Sequence, residues 1–379
     1  MSDTTRDNSA DFRRIFLEDI PLLDVRAAVE YQCGSFPNAV NRPLLDNQQR
    51  QLIGTEYKNK GQDAAIVLGN KLATKAIHQN RIDSWKPFVE RHPEGYLFCF
   101  RGGLRSRISQ QWLSEAGQPY PFIEGGYKAM RRFLIDELDR YSDQAPILRV
   151  SGLTGTAKTA LIIGLHNGVD LEGLANHRGS AFGCRPGGQP SQINFENNLA
   201  INFIKRDAAG SQCFIVEDEG RMVGRCNIPL RLRERMAIAP LVVVDMSFND
   251  RIDNLRRDYI YDSIAENQAY YGEEKGIEAF GRSLLSALER ITRRLGSERY
   301  NKMKRLLEQA VMAQNIARTD ELLVEVMSGL MKDYYDPMYQ YQLNKKLDKL
   351  VMRGSWQEVR DFCVHWQGDD LLNTATQTQ

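Results

Sequence analysis

From Ile15 to about Tyr141, short apolar runs alternate with stretches of helical spacing. PLLDV (21–25) and GYLFCF (95–100) predict two buried strands, and the polar segment Asp46–Arg91 between them carries helical periodicity from Asp63 to Arg81. Strands alternating with helices predict a parallel sheet with crossover connections. DRYSDQAP (139–146), polar and closed by proline, reads as a linker. Beyond it, ILRV (147–150), CFIVED (213–218) and PLVVVDM (240–246) predict the strands of a second α/β unit. From about Asp250 the pattern turns helical: Gly281–Gln309, Asp320–Lys332 and Tyr339–Met352 each space their apolar residues three and four apart. NTATQTQ (373–379) predicts a disordered end. The expected organisation is an α/β domain over 12–138, a second over 146–275, a helical C-terminal region over 276–370 and a tail over 371–379.

Length agrees with this division, since 379 residues exceed the roughly 250–300 at which a single core stops growing. A formal net charge of +1 advertises no global field for nucleic acid, so any RNA would be met by local patches. No apolar run approaches the ~20 residues of a membrane span, and the start MSDTTRDNSADF lacks the layout of a signal peptide. The expected location is the cytoplasm. Six cysteines without a C-x-x-C pair argue against a disulfide framework or a zinc site.

One cysteine keeps different company. Cys99 follows a predicted strand and opens CFRGGLRS (99–106), with RISQQWLSEAG continuing as a helix. Gly102 and Gly103 let the backbone curl so that successive N–H groups converge, and Arg101 and Arg105 add charge. Such surroundings draw a thiol from ~8.5 toward neutrality and make a nucleophile. Two chemistries share the arrangement: relay of sulfur or selenium on the cysteine, and phosphate-ester hydrolysis through a phosphocysteine. Phosphatases of this spacing usually place a histidine before the cysteine, where Phe98 stands.

The second unit opens on a phosphate loop. Ser151-Gly152-Leu153-Thr154-Gly155-Thr156-Ala157-Lys158-Thr159 is nearly G-x-x-x-x-G-K-[ST], whose backbone N–H groups and lysine hold phosphates. Ala157 replaces the last glycine and would crowd a position that needs positive φ. Glu217, Asp218 and Glu219 end a later apolar strand, where the acidic partner of a phosphate loop holds magnesium; a solvent-facing strand end is the alternative. In GVDLEGLANHRGSAFG (168–183), His177, Arg178 and Ser180 form a polar segment that reads as an anion or RNA contact.

Asp24-Val25-Arg26, Glu30-Tyr31, Gly34, Phe36-Pro37-Asn38-Ala39 and Asn41-Arg42-Pro43 together resemble the opening of a rhodanese domain. The thiol loop is one residue longer than in common sulfurtransferases, which suits a larger, phosphate-like anion. A rhodanese-like parallel-sheet domain followed by a P-loop NTPase-like α/β domain is an uncommon pair. With FRGGLRS, EGGYKAMR (124–131), VDLEGLANHRGSAFG (169–183), EDEGRMVG (217–224) and YYDPMYQYQ (334–342), the chain resembles the tRNA 2-selenouridine synthase family from about Phe12 to Trp366.

That resemblance implies a transferase acting on the wobble uridine of tRNAs for lysine, glutamate and glutamine, turning 2-thiouridine into 2-selenouridine. Geranyl diphosphate would first alkylate the sulfur, and selenophosphate, made by a separate synthetase, would then supply selenium. Cys99 corresponds to the selenium-carrying cysteine, held as a selanyl adduct, with Arg101 and Arg105 on selenophosphate. Gly152, Thr154, Gly155, Thr156, Lys158 and Thr159 would grip the diphosphate, with Mg2+ at Glu217–Glu219. RNA contacts are expected at Tyr334, Tyr335, Tyr339 and Tyr341, at Lys345, Lys346, Lys349 and Arg353, and on the run from Arg290 to Arg305. The competing functions are a rhodanese-type sulfurtransferase or cysteine phosphatase with a nucleotide-binding second domain, and a binding protein without catalysis.

Overall fold

The computed structural model describes residues 6–312 and 316–368, and the expected tail over 371–379 lies outside them. The chain divides into two units. The first comprises the residues up to Leu138 together with Glu196–Ala208, and the second comprises the remainder.

In the first unit, β1 (Leu22–Asp24), β2 (Ala39–Asn41) and β3 (Tyr96–Phe98) form a parallel sheet in the order β2-β1-β3, with Leu23 facing Val40 and Leu97. Leu97 makes one further parallel bridge to Phe122. Leu22, Leu23, Leu97 and Phe98 are buried, and the helix Lys75–Arg91 lays Ile82, Trp85, Phe88 and Val89 into the same core. Removing each such side chain from water is worth about 1.5–3 kcal/mol. The polar stretch 46–91 is three helices rather than one periodic run: Asn47–Lys60, Gln62–Leu72 and Lys75–Arg91. Asp46 and Thr74 cap the first and third of them through side-chain oxygens. Glu196–Ala208 is tied in by Asn197, whose side-chain amide donates to the Ser35 carbonyl at 2.8 Å and accepts from Arg131 at 2.8 Å.

The second unit is built on a five-stranded sheet. β4 (Ile147–Gly152), β5 (Gly168–Val169), β6 (Phe214–Glu217), β9 (Leu241–Val244) and β10 (Leu350–Gly354) run parallel in the order β10-β9-β4-β6-β5. β7 (Met222–Val223) and β8 (Cys226–Asn227) form a separate hairpin. Leu148, Val150, Ile215, Val242 and Val244 are buried with Leu161 and Ile162 on one side-chain cluster, the near-continuous apolar strands expected of a sheet covered on both faces. A second cluster joins the helices Glu273–Leu295, Ser297–Met312 and Ile316–Leu330 through Leu284, Leu288, Ile291, Leu307, Leu323 and Val326.

Three predicted elements take other forms. Residues 139–144 are no linker but the end of the helix Gly126–Gln144, because Tyr127, Met130, Leu134, Leu138 and Tyr141 carry its buried stripe onward and Tyr141 packs edge-on against Phe214. The stretch 281–309 is two helices parted at Gly296, the C-cap of the first. The stretch 339–352 is α-helical only to Asn344; a 3-10 turn over Leu347–Lys349 follows, and Leu350–Gly354 then pairs with β9. No described helix is long and apolar enough to cross a membrane.

Candidate functional site

In the first unit the backbone of Cys99 leaves β3 buried in the core, and its N–H donates to Ser106 Oγ at 3.0 Å. The helix Leu104–Glu115 then carries Arg105 to Glu30, where two hydrogen bonds of 2.7 and 3.1 Å join the guanidinium to the carboxylate. Burial works against the Glu30 charge, but Arg105 outweighs it and holds the carboxyl below its ordinary value. Arg105 in turn is raised by Glu30 against burial, with Cys99 among the groups in its electrostatic reach. Arg101 lies exposed on the loop.

The two loop glycines have different jobs. Gly102 has φ +60, and a β-carbon there would sit 2.7 Å from Ile123 O and Gly125 N. Gly103 has negative φ and open space around it, so only Gly102 makes the predicted left-handed curl. What presses on Gly102 is the EGGYK segment: Tyr127 N donates to Cys99 O and Lys128 N to Phe100 O, both at 2.9 Å. Nothing in the residue types of EGGYK marks this clamp; only the fold brings the segment under the loop. Beneath the loop, buried Asp24 and Arg26 pair through Nε at 3.0 Å and Nη2 at 2.6 Å, and Arg26 lies 3.8 Å over the Tyr127 ring. The D-V-R string therefore supports the loop from below.

In the second unit the phosphate loop joins β4 to the short helix Lys158–Ile163. Ala157 occupies the left-handed region at φ 55, ψ 36, so the departure from glycine is accommodated without changing the turn. Its carbonyl accepts from Trp356 Nε1 at 3.1 Å. Thr156 is buried and donates to Leu153 O at 2.9 Å, and Lys158 Nζ donates to Gly152 O at 3.0 Å. Arg251 closes the outside of the loop, reaching Thr154 O at 3.2 Å while pairing with Asp336 at 2.7 and 2.8 Å. Thr154 and Gly155 thus sit under the helix Phe248–Arg256, whose Asn254 donates to Gly155 O at 2.9 Å.

The carboxylates around Lys158 are not the predicted three. Asp218 faces away from the loop, paired with Arg149 at 2.9 Å and with Lys346 at 2.8 Å, and both of its oxygens are engaged. Glu172 of VDLEG joins the group: it accepts from Thr159 Oγ1 at 3.2 Å and hydrogen-bonds Glu219. Burial and then the Glu172 charge push Glu219 up to about 8, so it holds the shared proton at neutral pH. Glu217 is also raised by burial; one oxygen accepts from Leu171 N at 2.9 Å and the other is buried without a hydrogen bond. Burial draws Lys158 down, against these carboxylates. Among the described residues no group of three or more potential ligands has metal-binding geometry. Of the expected Glu217–Asp218–Glu219 magnesium set, Asp218 is held by Arg149 and Lys346.

The remaining predicted contacts divide by burial. His177 is buried, Nε2 3.8 Å from Cys184 Sγ, and burial with Arg290, Arg178 and Arg185 brings it down to about 4. Arg178 is 8% exposed and bound to Glu266 at 2.9 Å. Neither offers a cation to a polymer. Ser180 bonds the Tyr259 hydroxyl at 2.9 Å, and Tyr335 is buried in the helical core. Tyr334 is half-buried with its hydroxyl 3.5 Å from Arg294, Lys346 belongs to Asp218, and Arg353 pairs with Asp245 at 2.6 Å. Lys345 stays exposed, 4.1 Å over the Tyr341 ring.

A lysine-bearing phosphate loop between a strand and a helix of a five-stranded parallel sheet defines a P-loop-type α/β domain, here in one chain with a cysteine loop on a second parallel sheet. The family model described as tRNA 2-selenouridine synthase AAA domain matches residues 145–369. Three curated proteins carrying the name tRNA 2-selenouridine synthase are similar along nearly the whole chain. That of Pseudomonas putida (strain W619) is 46% identical, covering 94% of this chain and 98% of its own. That of Marinobacter nauticus is 47% identical with the same coverage, and that of Azotobacter vinelandii is 47% identical over 93% of this chain and 96% of its own. The chain belongs to the tRNA 2-selenouridine synthase family.

Proposed function

We propose that the protein is an enzyme of tRNA wobble-uridine modification that converts 2-thiouridine to 2-selenouridine in two transfers. In the first, the thiocarbonyl sulfur attacks C1 of geranyl diphosphate; the S–C bond forms, the C–O bond breaks, and the electron pair leaves with diphosphate. Lys158, with the loop from Gly152 to Thr159, takes the charge that develops on the leaving group. Alkylation makes the sulfur a thiolate leaving group. In the second transfer selenium from selenophosphate enters at C2, geranylthiolate departs, and phosphate is released by water.

Cys99 is the nucleophile that meets the selenium donor: its thiolate attacks phosphorus, and the S–P bond forms as the P–Se bond breaks. Selenide leaves to enter C2, and water then cleaves the S–P bond to give phosphate. Arg101 and Arg105 are the anion-binding cations, on a first unit of rhodanese type. Selenophosphate comes from a separate synthetase. RNA is met by exposed basic and aromatic residues such as Lys345 and Tyr341. The observation that carries this reading is collinearity: relatives bearing the name align over 94% of the chain, across both the Cys99 loop and the Lys158 loop.

The test is mass spectrometry of a 2-thiouridine anticodon stem-loop incubated with geranyl diphosphate and selenophosphate, separately and together. Wild type and Cys99→Ser should both geranylate, and only wild type should incorporate selenium. An RNA of unchanged mass under every condition would overturn the proposal.

A further inference from the structure

Around the mouth of the Cys99 loop the surface is not what a small anion requires. Phe100 and Leu104 are 36% and 49% exposed, while Leu97 and Phe98 just before them are fully buried. Phe100 leans on Tyr127, with ring centroids 6.0 Å apart and planes at 26°, and Lys128 N holds its carbonyl at 2.9 Å. An aromatic ring is thus fixed at the surface on the residue next to the nucleophile. Selenophosphate, small and polar, gives such a ring nothing to do.

The charge at the same place is uncommitted. Arg101 and Lys128 are exposed and form no ion pair among the described residues, whereas Arg105 is taken by Glu30. Exposed cations beside an exposed aromatic are the elements of single-strand nucleic-acid recognition, the ring stacking on a base and the cation meeting a phosphate. The second transfer needs a base here as well. Cys99 is 3% exposed, and selenide released at it reaches C2 efficiently only if the base already stands over the loop.

We infer that Phe100 is the stacking platform for the wobble base during selenation, with Lys128 on an adjoining phosphate. The inference rests on the reading that Cys99 serves the second transfer to RNA. It gives the first unit an RNA contact of its own.

Steady-state selenation of a pre-geranylated anticodon stem-loop by the full chain, at saturating selenophosphate, tests it. Phe100→Leu keeps apolar contact for a geranyl chain but offers no face for stacking. It should lower kcat/KM for the RNA roughly tenfold, mostly through KM, and Phe100→Tyr should restore it. Lys128→Gln should flatten the salt dependence of kcat/KM by about one phosphate contact. Alkylation of Cys99 by iodoacetamide should match wild type in all three variants, which a merely structural role for Phe100 would not allow. A Phe100→Leu protein that selenates like wild type would overturn the platform and leave the transfer reading standing, as would a loss matched by altered Cys99 alkylation. Wild type that selenates no RNA would remove both. Should circular dichroism show Phe100→Leu unfolded, a stem-loop with 5-iodouridine at the wobble position decides the matter on wild type: a photo-adduct on Phe100 supports the platform, and adducts only elsewhere refute it.

Discussion

Glu30 holds Arg105 by a two-pronged ion pair, 2.7 Å at one oxygen and 3.1 Å at the other, and thereby fixes the last cation of the Cys99 loop. The pair is mostly shielded, with side chains 11% and 23% exposed, so the geometry survives where a surface pair would wander. Glu30→Gln should leave the fold intact and slow selenation of pre-geranylated RNA by roughly tenfold, one charge-assisted hydrogen bond's worth. Arg105→Lys should fail to rescue it, since an ammonium cannot make both contacts. Geranylation measured on the same preparations should not change.

The same pair predicts an acid limit. Glu30 is held below its ordinary value, so its contribution is present above the unfolded carboxylate pKa near 4.5 and fades as pH falls through the lower folded value. Denaturant titrations of wild type and Glu30→Gln should diverge at pH 7 and converge at the acid end. Curves that stay parallel throughout would show that the pair does not stabilise the fold.

Gly126 is the residue on which the thiol loop rests. At φ +58, an added β-carbon would lie 2.3 Å from Cys99 O and 2.5 Å from Gly102 N, both backbone atoms. Gly126→Ala should therefore cost about 1–3 kcal/mol in denaturant melts. Its alkylation rate at Cys99 should change while wild-type geranylation persists. An unaltered melt and alkylation rate would mean the loop has more slack than these approaches allow.

Lys158→Ala separates the two transfers. Geranylation of 2-thiouridine should be lost, while selenation of RNA already carrying the geranyl group stays within a few-fold of wild type. Loss of both steps together would refute the division of labour.

Diphosphate binding should follow the Glu219 proton. With a carboxyl pushed up to about 8, Glu219 is neutral below that pH and adds a negative charge beside Lys158 above it. Pyrophosphate affinity, measured by calorimetry without divalent ions, should weaken as pH rises from 7 to 9. Glu219→Gln should flatten that slope. An unchanged slope in the variant would place the titrating group elsewhere.

Parts of the site were legible because chemistry constrains residue type at fixed spacing. Cys99 with its glycines and arginines, and the run from Gly152 to Thr159, announce their loops, and the apolar runs announce β1, β3, β4, β6 and β9. What escaped depends on which way a side chain points. Asp218 sits between Glu217 and Glu219 in the sequence, yet it alone is taken by Arg149 and Lys346. Glu172 lies 14 residues from Lys158 in the chain, and only the fold brings it to Thr159. β10 was hidden for another reason: Leu343, Leu347, Leu350 and Val351 satisfy a helical period, and only the unpaired side of β9 makes a strand the better answer.

Glu196–Ala208 belongs to the first unit, although the residues on both sides of it belong to the second. Heredity feels this arrangement as much as folding does. A recombination breakpoint placed once, after residue 138, would strip the first unit of the helix that bonds Ser35 and Arg131. Two breakpoints in step would be needed to exchange either unit for a foreign one. With this crossing, no single cut in the chain yields two genes that each encode one whole unit.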